Sequence, residues 1–322
     1  MGVSVSVLLL PLALFVCSHA VAQTLPTRFE HNRIFVEVVA PDGERITFYT
    51  DTGGGYNAIV DSVDKRYSLM HHGTAVSENG EHRLVAFPVF VEAAGIPRPA
   101  TDPWLKGNLA VVPDSWLETG GFLGSRWFAG RIWKFDYGKE RLSYIDSFEG
   151  TNFEEVPLGF RHGANGERDL NFPRINIVID GESLSMLLDT GATAKLTEFS
   201  APVYALTAGA LVGTSYITRS TFESWRERHP DWRVIDNADA VTGQYFPMIE
   251  VPSVEIAGIA VGPVWFSQRP DDVFRNWMSQ MTDRPVEGAI GGSMFKYLRM
   301  VIDYPAAVAY FQALPVRDES VE

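Results

Sequence analysis

The chain has 322 residues, 46% of them hydrophobic, and a formal net charge of −13. It holds enough apolar material for one large or two smaller domains. Its acidic balance, spread along the sequence, argues against nucleic acid or an anionic membrane as partner and serves solubility. Cys17 is the single cysteine, so disulfides are excluded, as are cysteine nucleophiles and cysteine-based zinc sites in a chain that loses its leader.

Val3 to Cys17 form an apolar stretch, and Ala20-Val21-Ala22 place small residues where a signal peptidase reads. A signal peptide over 1–22 is expected, with Gln23 as the new N-terminus, although the usual Lys or Arg of the leading segment is missing. About 15 apolar residues are too few to span a bilayer, and bulky Phe15 and Val16 before Cys17 argue against lipidation. The expected location is periplasmic or extracellular, with no stable membrane association after the leader is removed. Next come the strand-like Ile34 to Val39, the turn Pro41-Asp42-Gly43, a second strand Ile46 to Thr50, and Asp51-Thr52-Gly53. Ser77 to Phe90, turning at Asn79-Gly80, is a hairpin candidate carrying Phe87, and Val89 to Val91 is strand-like. Gly121-Phe122-Leu123-Gly124-Ser125-Arg126-Trp127-Phe128 precedes a strand pair, Ile132 to Phe135 and Leu142 to Ile145, joined through Asp136-Tyr137. Ser147 to Asp169 is polar and Gly-rich, as a connector should be.

The second half repeats the order. Strand-like Ile175 to Ile179, the turn Asp180-Gly181 and Leu184 to Leu188 lead to Asp189-Thr190-Gly191. Ser220 is placed to cap a helix over Thr221 to Arg228, and Asp271 to start one over Asp272 to Met281. In that second helix Val273, Phe274, Trp277, Met278 and Met281 have the spacing of a core-facing stripe. Val254 to Val261 alternates around Ala257-Gly258. Gly288-Ala289-Ile290-Gly291-Gly292-Ser293-Met294-Phe295 then matches Gly121 to Phe128, and Met300 to Ile302 and Val308 to Phe311 flank Asp303-Tyr304. The offset between halves is 138 at the Asp-Thr-Gly motifs and 167 at the later ones, so the second half carries a net 29 extra residues between about Leu196 and Gly288. Each half is one copy of a duplicated unit in which a hairpin delivers an aspartate into a Gly-bearing loop.

These two Asp-Thr-Gly loops, with Phe122-Leu123-Gly124 and Ala289-Ile290-Gly291, resemble the bilobal aspartic peptidases. The architecture is similar to pepsin and the short lobes to retropepsins, as in short bacterial members of the clan. The resemblance runs from about Phe35 to Phe311. It implies an all-β fold with a few short helices, in which two pseudo-symmetric β-barrel-like lobes enclose one cleft. The lobes would be 23–148 and 169–316, joined by a connector at 149–168 and followed by a tail at 317–322. Asp51 and Asp189 would be the catalytic pair of an endopeptidase that needs no metal or other cofactor. Two carboxyls held close share one proton, so one can take a proton from water while the other donates to the peptide carbonyl. By the same resemblance Thr52 and Thr190 exchange hydrogen bonds between lobes, and Leu123, Gly124, Ile290 and Gly291 pack behind the loops. Gly53 and Gly191 let the backbone pass close to the carboxyls. The implied partner is a polypeptide substrate met by a monomer. A catalytically inactive peptide- or carbohydrate-binding protein on the same fold is the alternative, and restriction to one partner or to self-processing is a third reading.

Two features depart from the family. Gly54 and Ala192 stand where pepsin-like enzymes carry Ser or Thr, and losing that donor should raise the pair's apparent pKa values and extend activity towards neutral pH. The Tyr of the family's flap has no clear counterpart, since Tyr56 and Tyr67 lie close to the loop. His71, His72 and His82, with Glu78 and Glu81, fit no helical zinc-pair spacing and read as a polar surface loop. The eight tryptophans, from Trp104 to Trp277, read as core and rim packing ahead of a carbohydrate platform. No Gly-x-Ser-x-Gly elbow occurs.

Overall fold

The computed structural model describes residues 22–77, 80–100, 102–241 and 243–315. The expected signal peptide, Ala22 apart, and the tail at 317–322 lie outside the described residues, as do Glu78 and Asn79. The protein is mostly β-sheet with a few short helices. No helix among the described residues is long and apolar enough to cross a membrane.

Local chemistry accounts for the two hairpins. Strand Arg45–Thr50 alternates exposed and buried positions and pairs antiparallel with Arg33–Val39, Phe35 facing Tyr49. Its turn is absorbed by Gly43 at φ +88°. Strands Arg174–Ile179 and Glu182–Leu188 pair likewise, through Asp180 and Gly181, both left-handed. Two consecutive positive-φ residues give the backbone twist that tight hairpins favour.

Beyond each hairpin the same strand order recurs. Arg45–Thr50 runs parallel to Gly121–Leu123, which pairs antiparallel with Asn57–Val60, itself parallel to Leu109–Val112. In the second half Glu182–Leu188 runs parallel to Gly288–Ile290, which pairs antiparallel with Ser215–Thr218, itself parallel to Val264–Arg269. These strands belong to an eight-stranded and a nine-stranded sheet. A six-stranded sheet takes strands from both halves, joined where Ile132–Asp136 pairs antiparallel with Leu298–Asp303. None of the sheets closes into a barrel among the described residues. Trp127, Phe128, Trp133, Phe135, Phe295 and Tyr304 are fully buried in the largest hydrophobic cluster. Trp127 and Trp133 meet at 4.4 Å, Phe128 and Trp133 at 5.1 Å. Burial of each large apolar side chain stabilises the fold by about 1.5–3 kcal/mol.

The extra residues of the second half divide. Asn57 follows Asp51 by six residues but Ser215 follows Asp189 by 26, so twenty extra residues lie there, holding the two-stranded ribbon Thr193–Lys195 and Leu211–Gly213. The other nine lie between Ser215 and Gly288.

Several expectations are corrected. Val89 to Val91 is part of a helix, Val89–Ala93, entered from Pro88; Val91 is buried while Val89 is exposed, so tertiary packing overrides β-branched propensity. The helix expected after Ser220 is Arg219–Arg228, preceded by Thr218, and the Ser220 N–H is instead bound by Asp271. The segment expected as a helix over Asp272 to Met281 is π-helical at Asp272–Trp277 and 3-10 at Met278–Gln280. The change of pitch breaks the stripe: Phe274 and Met278 are buried, whereas Val273 and Trp277 are 37% and 45% exposed. The polar stretch between halves contributes a strand, Glu154–Pro157, to the edge of the six-stranded sheet.

Candidate active site

Each Asp-Thr-Gly loop leaves the end of a parallel strand pair and is tied down in the same way. The Asp51 N–H donates to the Leu123 carbonyl at 3.0 Å and the Asp189 N–H to that of Ile290 at 2.9 Å. The Gly124 N–H donates to Asn57 Oδ1 and the Gly291 N–H to Ser215 Oγ, both at 3.0 Å. A Cβ on Gly124 would lie 2.5 Å from the Tyr56 carbonyl, and one on Gly291 2.1 Å from that of Thr214. Only glycine lets these segments pack so closely behind the loops.

The two loops face each other. The Thr52 N–H donates to Thr190 Oγ1 at 3.1 Å and the Thr190 N–H to Thr52 Oγ1 at 2.9 Å. Thr52 Oγ1 donates onward to the Leu188 carbonyl at 2.8 Å. Both threonines are fully buried, so breaking these bonds would strand donors away from water, at about 1–3 kcal/mol each. A Cβ on Gly53 would lie 2.5 Å from Asp189 Cγ, and one on Gly191 2.1 Å from Asp51 Cγ. Each glycine is therefore packed against the opposite aspartate.

The Asp51 and Asp189 carboxyls stand side by side, each between its own loop and the glycine of the other, and are close enough to perturb each other's ionisation. Gly53 N–H donates to Asp51 Oδ1 at 2.7 Å and Gly191 N–H to Asp189 Oδ1 at 2.9 Å. Burial raises the Asp51 carboxyl above its ordinary 3.8, opposed by the neighbouring Asp189 carboxyl and the N–H groups of Gly53, Gly54 and Gly191. Asp189 is pushed well above that value by burial first, then by the neighbouring Asp51 carboxylate, with Gly191 and Ala192 N–H groups opposing. Both carboxyls are raised and the pair titrates as a unit.

No side-chain hydroxyl stands at Gly54 or Ala192; their N–H groups donate to the main-chain carbonyls of Asp51 and Asp189, at 3.2 and 3.4 Å, and lie near enough to favour the ionised carboxyls. At Gly54 the cause is steric: a Cβ there would lie 2.4 Å from the ring of Phe122. His71, His72 and His82 turn to separate partners, Asp64, Asn108 and Ser77. Trp127, Trp133 and Trp225 are fully buried, while Trp116 and Trp277 are exposed.

The hairpin expected over Ser77 to Phe90 runs instead from His71–Ser77 to Gly80–Val85, at the edge of the eight-stranded sheet, and Phe87 is buried in the core. Tyr56, set aside for its nearness to the loop, joins that loop to the hairpin. Its ring stacks on His82 at 6.5 Å and meets Trp104 edge-on at 6.0 Å. Trp104 Nε1 donates to the Val76 carbonyl at 2.8 Å, and the Arg126 guanidinium lies over the Trp104 ring while its Nε donates to the Gly55 carbonyl.

Sequence reasoning missed Asn57, Ser215, Tyr49, Thr193 and Tyr216. Asn57 and Ser215 carry a signal, a polar residue opening a buried strand. Tyr49 carries another, two residues before Asp51 on an alternating strand. No protein-family model matches the chain, and no curated protein matches it in sequence at a significant level.

Proposed function

We propose that the protein is an aspartic endopeptidase of the bilobal pepsin and retropepsin type, exported and acting as a monomer on polypeptide substrates. The reading rests on one observation above all: two matched Asp-Thr-Gly loops meet through threonines that exchange hydrogen bonds, and each glycine packs against the opposite aspartate, so the two buried carboxyls face each other. The repeated strand order around each loop supports two pseudo-symmetric lobes, and the leader-like start supports export.

In this reading the ionised member of the Asp51 and Asp189 pair takes a proton from water as the water oxygen attacks the scissile carbonyl carbon. The protonated member gives its proton to the carbonyl oxygen, so the tetrahedral intermediate forms as a neutral diol. Transfer of a proton to the amide nitrogen then lets the C–N bond break. The chain's own residues hold and move both protons, with no covalent intermediate.

The test is cleavage of unfolded protein substrates by wild type and by Asp51→Asn and Asp189→Asn, with folding checked by circular dichroism. Each variant should lose cleavage by at least about a thousandfold, since the two carboxyls act as a unit, and chelators should change nothing. Cleavage retained in either variant would end the peptidase reading. A wild type that binds peptides without cutting them would make the protein an inactive binding module.

A further inference from the structure

Tyr49 stands two residues before Asp51, so strand alternation directs both side chains to one face, and that face meets the second half of the chain. The Tyr49 hydroxyl donates to the Gly191 carbonyl at 2.9 Å and lies 2.9 Å from Thr193 Oγ1. Thr193 Oγ1 donates to the same carbonyl, also at 2.9 Å. Tyr216 grips Thr193 from the other side, accepting its N–H at 2.7 Å and donating to its carbonyl at 2.6 Å. The Tyr49 ring is fixed by the Arg33 guanidinium 4.6 Å over its face and by Phe35 and Phe122 at 5.3 and 6.1 Å. The duplication does not return the contact. The position matching Tyr49 is Leu187, buried in an apolar cluster with Phe172 and Phe274.

We propose that Tyr49 is a positioning residue for the catalytic pair, a one-sided clasp from the first half that holds Gly191, the residue whose N–H donates to the Asp189 carboxyl; the proposal rests on the peptidase reading for its kinetic consequence alone. Gly191 donates its own N–H to Asp189 Oδ1 at 2.9 Å while its carbonyl is held by Tyr49, and the next N–H, of Ala192, closes the turn onto the Asp189 main-chain carbonyl at 3.4 Å. Without the Tyr49 hydroxyl the Gly191 carbonyl keeps one donor of two, the Gly191 N–H is held less firmly against the carboxyl, and ionised Asp189 loses part of its stabilisation. Thr193 Oγ1 still caps the carbonyl, so the fold survives the loss.

The titratable and charged groups around the pair are Tyr49, Tyr137, Tyr216 and Tyr304, with Arg33 over Tyr49 and Arg269 over Tyr216. Burial pushes all four phenols above their ordinary value, Tyr216 to about 12, so none of them titrates with the carboxyls.

The experiment is a carboxyl ¹³C NMR titration of aspartate-labelled wild type, Tyr49→Phe and Tyr297→Phe, with signals assigned from Asp51→Asn and Asp189→Asn. Tyr297 donates the same kind of bond to the Pro263 carbonyl, at 2.8 Å, and serves as control. In Tyr49→Phe the upper apparent pKa of the pair should rise. Its kcat should fall about tenfold, the size expected for one well-placed hydrogen bond, with KM nearly unchanged. Tyr297→Phe should match wild type in both. A Tyr49→Phe titration superimposable on wild type, whatever its Tm, would reduce the clasp to an ordinary interface bond and overturn the proposal. If the wild type cleaves no peptide, the peptidase reading falls, and the titration still decides the role of Tyr49.

Discussion

Because burial foremost holds Asp51 and Asp189 above the ordinary 3.8, the folded protein binds more protons than the unfolded chain once pH passes that value. Stability from the pair is complete below the unfolded value and is lost as pH rises through the raised folded values. Asp189→Asn removes one of the two raised carboxyls and keeps a side chain of the same shape beside Asp51. Thermal melts from about pH 3 to about pH 8 should show wild-type Tm falling relative to the variant, with the variant the more stable near pH 7. A Tm difference that stays flat over that range would show that the carboxyls are not held up by burial. The residue types of the pair were legible in the sequence, since the duplicated motif names them. The reason for a glycine at 54 was not: Gly54 was read as a missing hydroxyl, whereas the ring of Phe122, 68 residues on, forbids a side chain there.

Among the elements, the His71–Ser77 and Gly80–Val85 hairpin is tied to the Asp51 loop through aromatic and backbone contacts rather than by strand pairing to it. Trp104 is the tie from outside the hairpin, bonding Val76 and lying under the Arg126 guanidinium that reaches Gly55. Trp104→Phe keeps the apolar contact and removes the Nε1 donor. Amide exchange in His71–Ser77 should quicken roughly tenfold while core strands keep their protection, because opening of an edge hairpin is local. Under the peptidase reading KM should rise and kcat change little. Unchanged exchange in that strand would mean the bond to Val76 does not hold the hairpin. The turn residues made this hairpin visible in the sequence, but its limits were displaced, because Phe87 belongs to the core and Pro88 opens a helix.

For the whole molecule, the six-stranded sheet matters most. Ile132–Asp136 of the first half pairs along its length with Leu298–Asp303 of the second, and Glu154–Pro157 from the stretch between them adds the edge. Either half alone would bare a strand edge beside the cluster of Trp127, Trp133 and Tyr304, and such an edge invites aggregation. Segments 22–148 and 149–315, expressed separately, should be unfolded or aggregated. Co-refolding should restore one cooperative melt. A soluble segment with its own sharp transition would show that the halves fold independently.

The repeated order was readable from the sequence alone because its marks are local. A left-handed turn needs Asp-Gly, an alternating strand follows within a few residues, and a close backbone approach needs glycine, so each copy carries its own evidence. The meeting of the copies is a different matter. Thr52 and Thr190 are 138 residues apart, and nothing in either loop states which carbonyl or hydroxyl it will find. Tertiary packing alone decided that Tyr49 would cap Gly191 while Leu187 sank into an apolar cluster, that Val89–Ala93 would coil, and that the Asp272–Trp277 segment would widen its pitch. Local propensities there differ by a few tenths of a kcal/mol, and burial of a single large side chain outweighs them.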